Sequence, residues 1–260
     1  MRPGPAQLWP DVAPQWILNL PEGLEEFCYD FYKSFLFDER YMMYVKGLGN
    51  TLLLTAFALL MGIVLGVVVA LIRASWDKNG SEMHGVAKVL LRIANSICQV
   101  YLTVIRGTPV LVQLMIWYFV VFASSRNGVM VAAFAFGINS GAYVAEIIRS
   151  GIMAVDVGQT EAGRSLGFGY VSTMRFIVLP QAFKAVLPAL ANEFIVLLKE
   201  TSVASFVSVV DLTYAGNIIG GNSYDYLFPL LMTAMIYLAM VMFFTYLVGK
   251  LERRLRTSER

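Results

Sequence analysis

The chain has 260 residues, 58% of them hydrophobic and only 15% charged, with a mean hydropathy of +0.65. Soluble domains carry about a quarter charged residues, so this composition excludes an ordinary soluble domain. The net charge of +2 says little alone, no nucleic-acid partner is expected, and a single histidine, His84, with two cysteines, Cys28 and Cys98, provides neither a disulfide framework nor a clustered metal site.

In chain order, residues 1–48 read as an extracytoplasmic, interfacial segment. The start lacks the charged, apolar and small-residue regions of a signal peptide, so no removable one is expected. Phe27, Phe31 and Phe35 recur every four residues and would form one apolar stripe, with Glu26, Asp30 and Lys33 elsewhere around the helix. Such a helix either lies on the outer leaflet and leads into the first span, or docks a partner.

Residues 49–250 form the membrane domain. Positions 51–72 are free of charge for about 22 residues, or ~33 Å of helix, enough to cross the hydrocarbon. The stretch 86–123 would be roughly 57 Å long as one helix, and Arg106, Gly107, Thr108 and Pro109 interrupt it. It reads as one crossing bent at Pro109, with its first turns outside the hydrocarbon. A third span covers 128–145 and continues past Glu146 to Ile148.

A long patterned loop follows, ending in EAGRSLGFGYVSTMRFIVLP at 161–180. Asp156 and Gln159 have capping-box spacing, so a short helix should start there. Gly167 suits the left-handed residue that ends it. A second short helix over 170–176 carries the chain to Leu179 and Pro180, and proline fits the first turn of the next helix. Two short helices joined at a glycine make a compact knob.

The fourth span, 185–198, is the weakest, with Glu193 inside it and Lys199 and Glu200 at its end. Other helices should shield it, or it should line a wet cavity. Pro188 and the polar run 199–202 predict a tilted or broken span. The fifth span is 226–249, and a basic tail occupies 251–260.

Lys and Arg set the orientation. Arg2, Lys33, Arg40, Lys46 and Arg126 lie on one side, Arg106 and Lys199 fall within spans, and the other thirteen of the 20 lie on the opposite side. The chain is therefore expected to be an all-α integral membrane protein of five transmembrane helices, with the N-terminus outside, the C-terminus cytoplasmic, and the knob at 156–176 cytoplasmic between spans three and four.

Glu161, Ala162, Gly167, Ile177, Leu179 and Pro180 reproduce a known spacing, and the chain resembles the permeases of ABC importers with their EAA loop. Gly163 stands where that family usually has a second alanine. The stretches RGTPVLVQL (106–114), GAYVAEIIRSGI (141–152) and LPQAFKAVLPALANEFIVLLKETS (179–202) are similar to the polar amino-acid uptake subfamily. The resemblance covers most of 45–250. It implies that Glu161, Ala162, Gly163, Arg164 and Gly167 couple the chain to a cytoplasmic ABC ATPase dimer. It further implies a second permease copy or paralogue, an extracytoplasmic solute-binding protein, and residence in a bacterial cell membrane.

The residues themselves contain no GxxxxGK[ST] phosphate loop. ATP and Mg2+ are thus expected on a separate ATPase, with no cofactor and no enzymatic activity in this chain. Gly167, Phe168 and Gly169 read as turn geometry rather than a phosphate cradle. Ionisable groups within spans mark a pathway or a paired network, and here they are Arg106, Glu146, Glu193, Lys199 and Glu200. A polar amino acid loses water from its ammonium and carboxylate on entry, and the site must replace those bonds. Lys199 could accept the carboxylate, Glu146 or Glu200 the ammonium, and Thr108, Thr201 and Ser202 offer neutral partners. Equally, these charges could pair with one another or snorkel. Arg106, beside the bend, reads more readily as structural.

The expected function is uptake of a polar amino acid delivered by the binding protein and driven by the partner ATPase. The alternatives are the same machine carrying another small solute, an ion-coupled secondary transporter, and a membrane-embedded enzyme. Inverted repeats with paired broken helices would favour secondary transport, and the sequence shows neither.

Overall fold

The computed structural model describes residues 5–125 and 127–257, so Arg2, Arg126 and Arg260 lie outside the described residues. Among these, every regular element is helical. Three short helices, α1 (Pro5–Val12), α2 (Gln15–Leu18) and α3 (Glu22–Phe31), lead into the long α4 (Tyr41–Asn79). There follow α5 (Gly85–Gly107), α6 (Val110–Ile116), α7 (Gly128–Met153), α8 (Val157–Ser165) and α9 (Tyr170–Thr173). The chain ends with α10 (Leu179–Glu200), α11 (Leu212–Ser223) and α12 (Leu227–Thr257). Five stretches are long and apolar enough to cross a membrane: α4, α5, α7, the run Tyr170–Val207 built around α10, and Leu227–Leu255 of α12.

Two spans differ from the sequence expectation. The second is α5 alone, because the helix ends at Gly107 instead of bending. Thr108 (φ −125°, ψ 148°) and Pro109 (φ −64°, ψ 134°) are extended. A residue before proline is pushed out of the helical region, and α6 begins as a separate short helix. The fourth span is not broken at Pro188, since α10 runs continuously through it. Proline removes one backbone donor there, but contacts with α7 hold the helix on both sides. Ser140 donates to Glu193 Oε1 (2.9 Å), and Gly151 faces Val186 so closely that a Cβ would collide with its Cγ2. The change comes later, where Thr201–Val207 tightens into a 3-10 helix.

The chain divides into two compact units. One holds Leu53–Thr201 together with the chain from Val241 onward. Its centre is α7, the most buried of the spans. Gly66 lets α4 meet α7: a Cβ there would lie 2.6 Å from Val144 Cγ1 and 3.0 Å from the Ala145 nitrogen. Small residues bring membrane helices together in this way, where lipid tails provide no hydrophobic drive. The outer face of α4 carries exposed Leu53, Phe57, Leu60, Val64 and Leu71, at the spacing of one lipid-facing stripe.

The other unit holds the chain up to Leu52 together with Ser202–Met240. Trp9, Ala13 and Tyr32 form a small core, and Trp9 Nε1 donates to Glu25 Oε1 (3.3 Å). The phenylalanine stripe finds a protein partner as well as an exposed side. Phe27 and Phe31 meet the Phe228 ring edge-on at 5.3 and 6.3 Å, and Lys33 pairs with Asp225 at 3.3 Å.

Helix α11, absent from the sequence-based elements, is capped by the fully buried Asp211, whose Oδ1 accepts from the Tyr214 backbone N–H (2.8 Å). Burial pushes the Asp211 carboxyl up to about 6, while the N–H groups of Tyr214 and Thr213 pull it back. A raised carboxyl destabilises its ionised form in the fold. The associated stability is complete below the unfolded value of about 3.9 and is lost as pH rises through about 6. Asp211→Asn keeps a capping oxygen and removes this titration. The variant should therefore melt higher than wild type at pH 7.5, with the gap closing by pH 4.5. A gap that is independent of pH in thermal unfolding of the detergent-solubilised protein would refute this.

Candidate functional site

Helix α5 carries Lys88, Arg92, Ser96, Gln99, Thr103 and Arg106 at spacings of three and four, so they share one face. From Arg92 onward all of them are exposed, while Ile93, Ile97, Val100 and Val104 form the apolar side. Each charge at mid-membrane costs about 2.5–3.5 kcal/mol on insertion scales. Such a face therefore belongs against water or another subunit and not against lipid.

The upper part of this face opens into a cleft of ≈ 520 Å³ lined by Arg73 of α4, by Gln99, Thr103, Arg106 and Gly107 of α5, and by Glu146 of α7. The Arg106 guanidinium also lies over the Tyr143 ring, 5.6 Å from its centroid. Arg73 Nη1 donates to Asn95 Oδ1 (3.2 Å), which aims that side chain along α5. Glu146 Oε2 accepts from Arg149 (3.1 Å), and Arg149 also binds Asp77 of α4 (3.0 Å). Arg149 is thus shared between two carboxylates. The cleft holds two guanidiniums and one carboxylate, which suit the two ends of an amino acid. Guanidinium pairs carboxylate bidentately, and Glu146 can take an ammonium while Arg149 keeps Asp77.

The sequence-named residues divide. Glu146 lines the cleft. Thr108 sits at the break after α5, where its Oγ1 donates to the Val104 carbonyl (2.8 Å). Lys199 is exposed and Glu200 half-buried at the end of α10, and Thr201 is buried with its hydroxyl on the Leu198 carbonyl. None of these three lines the cleft, and Ser202 belongs to the other unit. Arg106 lines the cleft, and the carbonyls of the break are taken by Gln113. Arg73, Gln99 and Thr103 escaped the sequence reading. The polar positions of α5 could have found two of them, had they been plotted at helical spacing.

The loop forms the knob. Asp156 caps α8 by accepting from the Gly158 N–H (2.7 Å). At the other end Gly167 takes φ +81°, its N–H bonds the Arg164 carbonyl (2.9 Å), and the Phe168 N–H bonds the Gly163 carbonyl (3.1 Å). These two bonds make a Schellman motif. Gly163 is buried, and a Cβ there would lie 2.9 Å from Thr173 Cγ2 and Ile177 Cδ1, so the knob is packed around its absence. Glu161, Ala162, Arg164 and Gly167 are exposed, beside Leu166 (76%) and Val171 (75%). Large apolar side chains this bare mark a surface that something covers. Among the described residues no group of His, Cys, Asp and Glu could hold a metal ion.

The family described as binding-protein-dependent transport system inner membrane component matches residues 85–257. A putative glutamine transport system permease protein of Rickettsia bellii is 35% identical over 225 residues, 85% of this chain and 97% of its own length. An arginine transport system permease protein of Bacillus subtilis is 34% identical over 218 residues, 83% of this chain and 93% of its own. Among solved structures, an amino acid ABC transporter crystallised with histidines is 40% identical, with a TM-score of 0.73 over 82% of this chain and 94% of that one. An inward-facing methionine ABC transporter has a TM-score of 0.70 over 84% of this chain and 98% of its own at 19% identity, a likeness of fold.

Proposed function

The chain belongs to the family of binding-protein-dependent transport system inner membrane components, and from that premise we propose that it is the permease subunit of an ATP-driven importer of polar amino acids. The observation that carries the reading is the polar face of α5, exposed along a spanning helix and ending in a cleft with charges for both ends of an amino acid. Relatives named for glutamine and arginine transport support the substrate class.

In this reading two permeases, identical or paralogous, face each other across that polar surface and enclose a water-filled path in the membrane. A binding protein delivers the amino acid on the outer side, where the N-terminus lies. Arg73 and Arg106 take its carboxylate and Glu146 its ammonium. Thr108 borders the same path, and Lys199, Glu200, Thr201 and Ser202 contribute elsewhere along it. Positive charge in the connections around α8 and after α12 supports a cytoplasmic knob and C-terminus, in a bacterial cell on this reading. There an ATPase dimer holds ATP and Mg2+. The exposed Glu161, Ala162 and Arg164 with Leu166 and Val171 dock into it, and its closure moves α10 through the knob. Residues 1–48 form the outer segment and 251–260 the basic tail of this permease.

The test is purification with its partners and reconstitution. ATP hydrolysis should rise several-fold with the loaded binding protein for a subset of polar amino acids, as differential binding of one state requires. No co-purifying ATPase and no stimulation by any amino acid would defeat the proposal in favour of secondary transport.

A further inference from the structure

We infer that Gln113 is a positioning residue for the transported amino acid: its side-chain amide holds the break after α5 in one geometry and so fixes where Arg106 and Gly107 stand in the cleft. The inference rests on the reading of that cleft as the substrate site.

Pro109 has no N–H, so the Ile105 carbonyl four residues earlier loses the partner that a continuous helix would provide. Thr108 is extended, which frees its carbonyl too. Within a membrane such carbonyls must be satisfied by protein. Gln113, buried one turn beyond the break, provides the donor. Its Nε2 lies 2.8 Å from the Ile105 carbonyl oxygen, 3.1 Å from that of Thr108 and 2.8 Å from Thr108 Oγ1. Two N–H groups serve three acceptors, so the amide is committed to the break. Its Oε1 accepts from Asn139 Nδ2 on α7 (3.1 Å), which settles the orientation of the amide. The neighbouring Ser140 bonds Glu193 of α10 (2.9 Å). Neighbouring residues of α7 thus bond the break on one side, through Asn139, and α10 on the other, through Ser140.

Arg106 and Gly107 are the last residues of α5 before this break, so their position depends on how the break closes. A leucine at 113 fills similar volume but donates nothing. The freed carbonyls must then find other partners, and the end of α5 shifts with them. Gln113 touches no part of the cleft surface itself, and its effect on substrate passes through Arg106.

The test uses the complete transporter in proteoliposomes, with uptake expressed per assembled complex. Gln113→Leu and Arg106→Gln should each raise KM for the carried amino acid about tenfold. The double variant should be no worse than the weaker single, because both remove the same interaction. Asn139→Ala, which keeps the donor but loosens its orientation, should raise KM about threefold, and it serves if Gln113→Leu does not assemble. A KM raised by Arg106→Gln but unmoved by the Gln113 and Asn139 variants would overturn the inference alone. Multiplicative effects in the double variant would overturn it too, since they mean independent roles. An unmoved KM in Arg106→Gln would overturn the cleft as the substrate site, and this inference with it.

Discussion

A transporter carrying Gly167→Val should lose most of its ATP-driven uptake while its spans assemble as in wild type. Gly167 ends α8 with φ +81°, where an added side chain meets no neighbouring atom, so the penalty is conformational and not steric. A left-handed residue costs an L-amino acid roughly 1–2 kcal/mol, and a β-branched one is a genuine outlier there. The Schellman bonds from Gly167 to Arg164 and from Phe168 to Gly163 would give way, and with them the angle between α8 and α9. That angle sets where the exposed Leu166 and Val171 stand relative to each other. The expected result is at least a tenfold loss of coupled transport, with ATPase retained poorly on purification. Gly167→Asn should be milder, because asparagine tolerates this conformation. Wild-type uptake in Gly167→Val would remove the knob from the coupling path.

Glu146→Gln should also be strongly damaging, by a different route. Glu146 is the one carboxylate lining a cleft that also holds Arg73 and Arg106. Without it, the cleft carries uncompensated positive charge at the place proposed for the substrate's ammonium. A hydrogen bond to a charged group contributes about 1.5–3 kcal/mol, so uptake should fall by up to about a hundredfold in kcat/KM. Cationic amino acids should suffer more than neutral ones. The fold should survive, because Arg149 keeps Asp77 at 3.0 Å when Glu146 is neutralised. Uptake of each substrate by the intact variant complex is the measurement. An equal, small loss for all of them would make Glu146 a structural partner of Arg149 only.

The two sites were not equally legible in the sequence. The knob could be read nearly residue by residue, because its determinants are local: a capping aspartate, a helix-ending glycine and a proline at a helix start act within a few positions. Even there the buried fit of Gly163 against Thr173 and Ile177 needed the folded chain. The break at Thr108 and Pro109 is visible in the sequence as an interruption, but local rules predict a bend there. Proline restricts its predecessor locally, whereas the donor that stabilises the open break comes from Gln113, oriented by Asn139.

By itself the sequence determined the class of molecule, five spans, the sidedness its charges favour and the shape of the loop between spans three and four. Each follows from composition, run length or contacts between near neighbours. Only the tertiary structure decided which intramembrane charges meet. Arg73, Arg106 and Glu146 come from three helices and line one cleft; Gly66 lets α4, with Arg73, approach α7, with Glu146, closely. Lys199 and Glu200, adjacent in a suggestive motif, end elsewhere on α10. Hydropathy records the cost of a charge in lipid, but the partner that offsets this cost is set by how helices pack.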